Sequence, residues 1–263
     1  MINIGIDPIL FTLGPFSISW HSLFIIVAMA EAVLLTTYLA DKVGLTIDTL
    51  YSLALWCIPS GIIGARLVHI IDYWGSYMAH PTAIFAFWQG GLALWGGILG
   101  GTLAAVIFTR IKGLSLAPYA DLAAPGLILA QAIGRIGDVI NGEHFSTTTN
   151  LPWGTVYTHP DSPGYGLPPT HPAVAYELLM DLLIFGILWK LRGRLRPNGS
   201  LFLLYLAVYS IGRFFLSFLR LDSNTIFLSL NQPQWISLLI VVVTIPLLVW
   251  RRAAYRRQGE IKR

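Results

Sequence analysis

Residues 134–143 read Gly134-Arg135-Ile136-Gly137-Asp138-Val139-Ile140-Asn141-Gly142-Glu143. They close a long apolar run that extends from Pro118 to Ile140. A membrane-spanning helix needs roughly 20 mostly apolar residues, and this run is long enough. At its end an arginine and an aspartate stand three residues apart, nearly one helical turn. Asn141, Gly142 and Glu143 follow as the apolar run gives way to a polar loop. A charged side chain near the bilayer centre costs about 2.5–3.5 kcal/mol on insertion scales, so ionisable groups at a membrane-helix end are functional candidates by default. The plainer reading is an internal pair, Arg135 with Asp138 or with Glu143, that locks two elements together.

Composition places the whole chain in a membrane. Of its 263 residues 55% are hydrophobic and 11% charged, with a mean hydropathy of +0.67. A soluble domain carries about 25% charged residues. The single cysteine, Cys57, lies in an apolar run, so it pairs with nothing in the chain and reads as a small buried residue. The histidines at 21, 69, 80, 144, 159 and 171 are scattered and offer no metal-ligand spacing. No metal or other cofactor is expected. No Lys or Arg precedes Lys42, so the N-terminus lacks the basic region of a cleavable signal peptide and reads as mature sequence. The net charge of +4 is distributed as in a membrane protein, and no nucleic-acid partner is expected.

Seven runs have approximately the length of a span: 17–40, 50–72, 91–110, 118–140, 172–191, 200–219 and 235–250. The fold expected is an all-α integral membrane protein with seven transmembrane helices. Residues 1–16 read as an interfacial segment with turns at Asp7-Pro8 and Gly14-Pro15. Residues 17–140 hold the first four spans, 141–171 a small extracytoplasmic head, 172–250 the last three spans, and 251–263 a basic tail.

Charge sets the orientation. Lys42, Arg110, Lys112, Lys190, Arg192, Arg194, Arg196 and the tail residues Arg251, Arg252, Arg256, Arg257, Lys262 and Arg263 all fall on one side. The N-terminus and the connections 73–90 and 141–171 contain no Lys or Arg. Lys and Arg concentrate on the cytoplasmic side of membrane proteins, so the N-terminus is expected outside and the C-terminus inside. The tail arginines suit anionic inner-leaflet headgroups.

Four arginines remain: Arg66, Arg135, Arg213 and Arg220, each toward the outer end of its span or just past it. Something must hold them there. An anionic phosphate at headgroup level would, and the planar guanidinium binds phosphate through two hydrogen bonds at once. Pairing with Asp72, Asp138, Glu143, Glu177 or Asp222 is the alternative. Both are expected, with at least one arginine left to take a phosphate.

Three other stretches carry information. Gly90-Gly91, Gly96-Gly97 and Gly100-Gly101 suit close helix approach in a membrane. The connection from Asn141 to Thr170 has no helical period but many Thr, Pro, Gly and Tyr, and reads as an ordered lid or binding head. Span five opens at His171-Pro172, with Tyr176 and Glu177 near the outer surface and Asp181 one turn deeper. Glu177 and Asp181 should face the bundle interior, and Glu31 in span one is a similar case without an assigned partner.

The pattern G-R-x-G-[ND]-x-x-N-x-E resembles the signature of the bacterial prolipoprotein diacylglyceryl transferase family. Asp7-Pro8, Phe11, Gly14-Pro15, Trp20, Gly64-Ala65-Arg66, Trp88-Gln89-Gly90-Gly91, His171-Pro172 with Tyr176-Glu177, and Gly212-Arg213 extend the resemblance over essentially the whole chain. The resemblance implies seven spans with a head after the fourth, in the bacterial cytoplasmic membrane. It implies transfer of a diacylglyceryl group from phosphatidylglycerol to the lipobox cysteine of a membrane-tethered prolipoprotein, leaving a thioether and releasing glycerol phosphate. A thiol needs its proton removed to attack, and an arginine at the leaving phosphate would stabilise the developing charge. On this reading Arg135, Glu143 and His21 are catalytic. Arg135, Asp138, Asn141, Arg213, Arg66, Trp95, Tyr176 and Glu177 bind substrate.

Several positions depart from the family pattern. Trp95 stands where many members have a histidine thought to act as base, and His21 where a tyrosine usually follows the tryptophan. Asp138 replaces a common asparagine, Ser146 a glycine, and Ser217 a frequent glutamate. His21, His144 and Glu143 are therefore the candidate bases. A non-catalytic lipid- or lipoprotein-binding relative is the alternative reading. A small-solute transporter is less well supported, because no internal repeat or paired broken helices are found.

Overall fold

Long apolar runs leave the backbone no water to bond with, so each closes its hydrogen bonds internally as a helix. A computed structural model of the chain describes residues 1–14, 16–43, 45–86, 90–221 and 225–261. Pro15, Trp88, Gln89, Asp222, Lys262 and Arg263, singled out above, lie outside the described residues. The helices are α1 (Trp20–Lys42), α2 (Ile47–Asp72), α3 (Trp74–Ala79), α4 (Leu94–Ile111), α5 (Leu116–Asn141), α6 (Ala173–Leu191), α7 (Ser200–Leu216) and α8 (Gln232–Ile261). Turns of 3-10 helix cover Pro81–Phe85 and Ser217–Leu219.

Among the described residues six helices are long and apolar enough to cross a membrane: α1, α2, α4, α5, α7 with its 3-10 extension, and α8. The 19-residue α6 falls outside that set because it carries Glu177, Asp181 and Lys190. The expected seven spans are therefore six by length and composition. The span expected at 235–250 runs on without a break to Ile261, so the basic tail continues α8. The sequence Arg251-Arg252-Ala253-Ala254 is rich in strong helix formers, which explains the continuation.

The structure is not purely helical. β1 (Ile2–Ile4) pairs in parallel with β4 (Thr155–Tyr157), β2 (Ile9–Leu13) with β3 (Phe16–Ser19), and β5 (Thr225–Phe227) with β6 (Leu230–Asn231). The N-terminal segment, expected to turn at Asp7-Pro8 and Gly14-Pro15, holds strands on either side of Asp7-Pro8, and one of them joins the 141–171 connection. That pairing joins residues about 150 positions apart, beyond any local pattern.

The chain folds as two compact units, Met1–Thr36 with Ala120–Arg263, and Thr37–Tyr119. In the first unit Ala124 and Ile128 of α5, Ile184 and Leu188 of α6, and Leu201 and Tyr205 of α7 form a buried core. Between membrane helices such a core is held by close van der Waals packing rather than by expulsion of water. Asp121 of α5 caps α7 from outside, accepting the N–H groups of Gly199 at 2.6 Å and Phe202 at 2.9 Å. A cap of this kind contributes about 0.5–2 kcal/mol.

In the second unit α2 and α4 pack backbone to backbone, as the glycine spacing predicts. A Cβ on Gly64 would collide with the Gly96 carbonyl and lie 3.1 Å from Gly100 Cα. Arg66 of α2 is buried there and holds the chain that enters α4. Its Nε donates to the Ile84 carbonyl at 3.1 Å, and one terminal nitrogen donates to those of Gly90 at 2.6 Å and Gly91 at 3.0 Å. The other donates to the carbonyls of Ala83 and Ala86.

Candidate functional site

The signature stretch is the C-terminal end of α5, and each of its residue types has a local reason. Gly142 ends the helix with φ at 75°, a left-handed conformation that a side chain would strain. Two groups of the following connection seat there. The Tyr157 hydroxyl donates to the Val139 carbonyl at 2.8 Å, and Ser162 Oγ donates to the Asn141 carbonyl at 3.0 Å. Burial, with the nearby Asp138 charge, pushes the Tyr157 hydroxyl up to about 12. The 141–171 connection is thus tied to the end of α5 by two side-chain hydrogen bonds.

Gly137 lets α1 come close. A Cβ at this position would lie 2.8 Å from His21 Cα and 3.1 Å from Phe24 Cβ. Small residues permit such approach between membrane helices. It delivers His21 to Asp138, where Nδ1 donates to Oδ1 at 2.6 Å. Asp138 is buried; its Oδ2 accepts from Arg135 at 2.7 Å and lies 3.5 Å from Nε2 of His144. The His21 side chain stays 35% exposed.

The second half of the site centres on Glu177 of α6, which is wholly buried. Its Oε2 lies 3.2 Å from Arg135 Nε and 2.9 Å from an Arg220 terminal nitrogen, and its Oε1 pairs with Arg213. Three guanidinium groups therefore share one carboxylate, with Asp138 taking a second contact of Arg135. Charge-assisted pairs at this depth are strong, and the excess of donors suits an anionic ligand. Asp181, one turn inward, is buried with no hydrogen-bond partner for either oxygen.

Arg220 reaches Glu177 because residues 145–147 pair with 219–221. The Leu221 N–H donates to the Phe145 carbonyl at 3.0 Å, and the Thr147 N–H to that of Leu219 at 2.9 Å. The buried Ser146 stands at the bridge itself. Ser217 is also buried, its Oγ donating to the Arg213 carbonyl at 2.7 Å.

The expected site residues divide as follows. Arg135, Asp138, Arg213, Glu177 and His21 come together. Asn141 and Glu143 bond to each other beside them, with Glu143 exposed. The Tyr176 hydroxyl accepts from Trp153 Nε1 at 2.7 Å. Arg66 and Trp95 belong to the second unit, where Arg66 has the backbone carbonyls named above and Trp95 is 38% exposed. Arg220 is one of the outer arginines but not one of the expected site residues. Nothing in its local sequence marks it, since a backbone pairing aims it. Among the described residues Asp7, His159 and Asp161 place ligand atoms within 4.8 Å of one another, the one grouping that could hold a metal ion. Its two aspartates are exposed.

The membrane-length helices define a multi-pass membrane protein, whose first unit holds a buried cluster of arginines and carboxylates. Residues 8–250 match the family model described as prolipoprotein diacylglyceryl transferase, and the chain belongs to that family. A phosphatidylglycerol–prolipoprotein diacylglyceryl transferase of Trichormus variabilis is 41% identical over 226 residues, 82% of this chain and 79% of the relative. One of the same name from Staphylococcus aureus is 35% identical over 258 residues, 95% of this chain and 91% of the relative.

Proposed function

We propose that this chain transfers the diacylglyceryl group of phosphatidylglycerol to the thiol of a lipobox cysteine in a prolipoprotein signal peptide. The observation that carries the reading is the convergence of Arg135, Arg213 and Arg220 on the single carboxylate of Glu177. A phosphodiester brought there can take guanidinium donors that Glu177 now shares. As the phosphate leaves it gains negative charge, and donors already in place stabilise that charge more than the starting diester.

His21 is the base in this mechanism. Asp138 fixes its Nδ1–H, leaving Nε2 to accept the thiol proton, the division of labour seen wherever a carboxylate orients a catalytic imidazole. The thiolate sulfur attacks the glyceryl carbon that bears the phosphate oxygen. The sulfur–carbon bond forms, the carbon–oxygen bond breaks, and glycerol phosphate departs with the electron pair. The proton on His21 then passes to the leaving phosphate. His144 supports Asp138 from its other side, and Asn141 with Glu143 holds the mouth of the site. Arg66 and Trp95 are assigned to substrate binding on the resemblance alone.

In this reading α6 is the fifth of seven spans, with its acidic groups turned into the bundle, and the head lies outside the bacterial cytoplasmic membrane. The N-terminus is outside and the C-terminus cytoplasmic, as the one-sided distribution of Lys and Arg supports.

The test is direct. The purified chain is incubated with phosphatidylglycerol and a lipobox peptide, and the peptide is weighed by mass spectrometry. Added diacylglyceryl mass on the cysteine is expected. Bound phosphatidylglycerol without product would replace the transferase reading with that of a non-catalytic lipid-binding relative.

A further inference from the structure

One buried carboxyl has no place in the chemistry above. Glu31 lies near the middle of α1, and neither of its oxygens has a hydrogen-bond partner although both are buried. It borders a groove with a cavity volume of about 520 Å³. The rest of the wall is apolar: Val27, Ala30 and Leu34 of α1, Leu129 of α5, and Phe185 and Trp189 of α6. Val27 and Leu34 remain 43% and 64% exposed. Residues 27, 30, 31 and 34 follow the spacing by which a helix presents one face, over about two turns.

Position along the helices matters more than composition. Each of the three helices that wall the groove carries part of the site at its outer end: His21 on α1, Asp138 on α5 and Glu177 on α6. These lie ten residues from Glu31, nine from Leu129 and eight from Phe185. At a rise of 1.5 Å per residue the site stands about 12–15 Å above the groove along the same helices.

At that depth the bilayer offers acyl chains, which bear no polar group. A hydrogen-bonding partner for a carboxyl in hydrocarbon comes from a polar side chain on another helix. We propose that the groove docks the apolar membrane-spanning segment of the protein substrate, helix against helix, with a hydroxyl, amide or basic side chain of that segment on Glu31. A segment so docked has its outer end at His21 and Asp138. The residue that meets Glu31 then lies eight to ten positions before the modified cysteine. This inference rests on the transferase reading and adds to it where the substrate is held and in what register.

Two substrates separate docking from chemistry: a peptide with its complete apolar segment, and a short lipobox peptide without it. The full chain is used in vesicles containing phosphatidylglycerol. Ala30→Trp, which fills the groove, should raise KM for the long peptide at least tenfold, leave its kcat within twofold, and leave kcat/KM for the short peptide unchanged. Glu31→Gln should retain the low KM for the long peptide, and Glu31→Leu should not. Equal losses with both peptides would mean that the groove matters only for folding, and no loss with either that it holds lipid; each overturns the proposal. Binding is read separately by a photo-crosslinker, Leu34→p-benzoylphenylalanine, which needs no turnover. Leu34 lies three residues deeper than Glu31, so capture of the long peptide eleven to thirteen residues before its cysteine is expected even if the wild-type chain transfers nothing. Capture of lipid or of a second copy of the chain instead would overturn the docking while leaving the transferase reading intact.

Discussion

His21 and Asp138 are 117 residues apart in sequence, and their side chains meet at 2.6 Å. The pair joins the N-terminal end of α1 to the C-terminal end of α5 and holds an oriented imidazole there. His21→Phe should reduce kcat by about 10²–10⁴, the range typical of a lost general base, with phosphatidylglycerol binding unchanged. Single-turnover transfer and lipid-binding assays on the same preparation check this. A rate and pH dependence equal to wild type would remove His21 as the base.

Gly137→Ala tests the helix approach that creates the pair. Its Cβ would fall 2.8 Å from backbone Cα of His21, where no flexible side chain can give way. The helices must separate, and a misplacement of about 1 Å in a catalytic group can cost about 100-fold in rate. Activity should fall by that order while membrane insertion, read by protease accessibility of the loops, stays normal.

Arg135→Ala should abolish transfer without preventing insertion, because its guanidinium spans Asp138 and Glu177. Arg135→Lys should not restore it, since an ammonium cannot reproduce the planar fork that holds two carboxylates or a phosphate. Full activity in either variant, measured by the mass-spectrometric assay, counts against the phosphate role.

Glu177→Gln asks what the arginines cost when their shared carboxylate is neutralised. Removing one member of a buried charge pair typically destabilises by about 3–5 kcal/mol. The variant should melt well below wild type in detergent. Added phosphatidylglycerol should recover part of the loss by supplying an anion, readable as a larger ligand-induced shift in Tm than wild type shows.

Tyr157 gives a pH signature for the seating of the 141–171 connection on α5. Its folded-state pKa is raised to about 12 from an ordinary value of 10.0, so the unfolded chain ionises first as pH rises. The contribution of the neutral hydroxyl is complete below about pH 10 and is lost between there and about pH 12. Tyr157→Phe should abolish this part of the alkaline drop in Tm, which a comparison of the two melting profiles between pH 9 and 12 would show.

Much of the fold and site is legible in the residues. Six of the seven apolar runs form helices long and apolar enough to span, within a few residues of their expected ends except where α8 continues into the basic tail. Arg135, Asp138, Arg213, Glu177 and His21, each a candidate from sequence, come together. Arg220 is absent from those candidates, and the strands between the expected N-terminal turns are not anticipated. For Arg220 and for β1 the cause is the same: backbone pairing between distant segments, residues 145–147 with 219–221 and β1 with β4, leaves no period or motif in either segment.

The sequence by itself determined the membrane setting and the positions of the long helices. Apolar length and the absence of water in a bilayer leave a chain few alternatives, and those constraints act locally along it. It also marked which charged residues needed a partner. Only the tertiary structure decided the partners: that three arginines share Glu177, that His21 rather than a more distant group holds Asp138, and that Arg66 is surrounded by backbone carbonyls. A charge buried in helices is satisfied by whatever the packing brings within about 3 Å, and packing at that distance is set by small residues and strand pairings acting together.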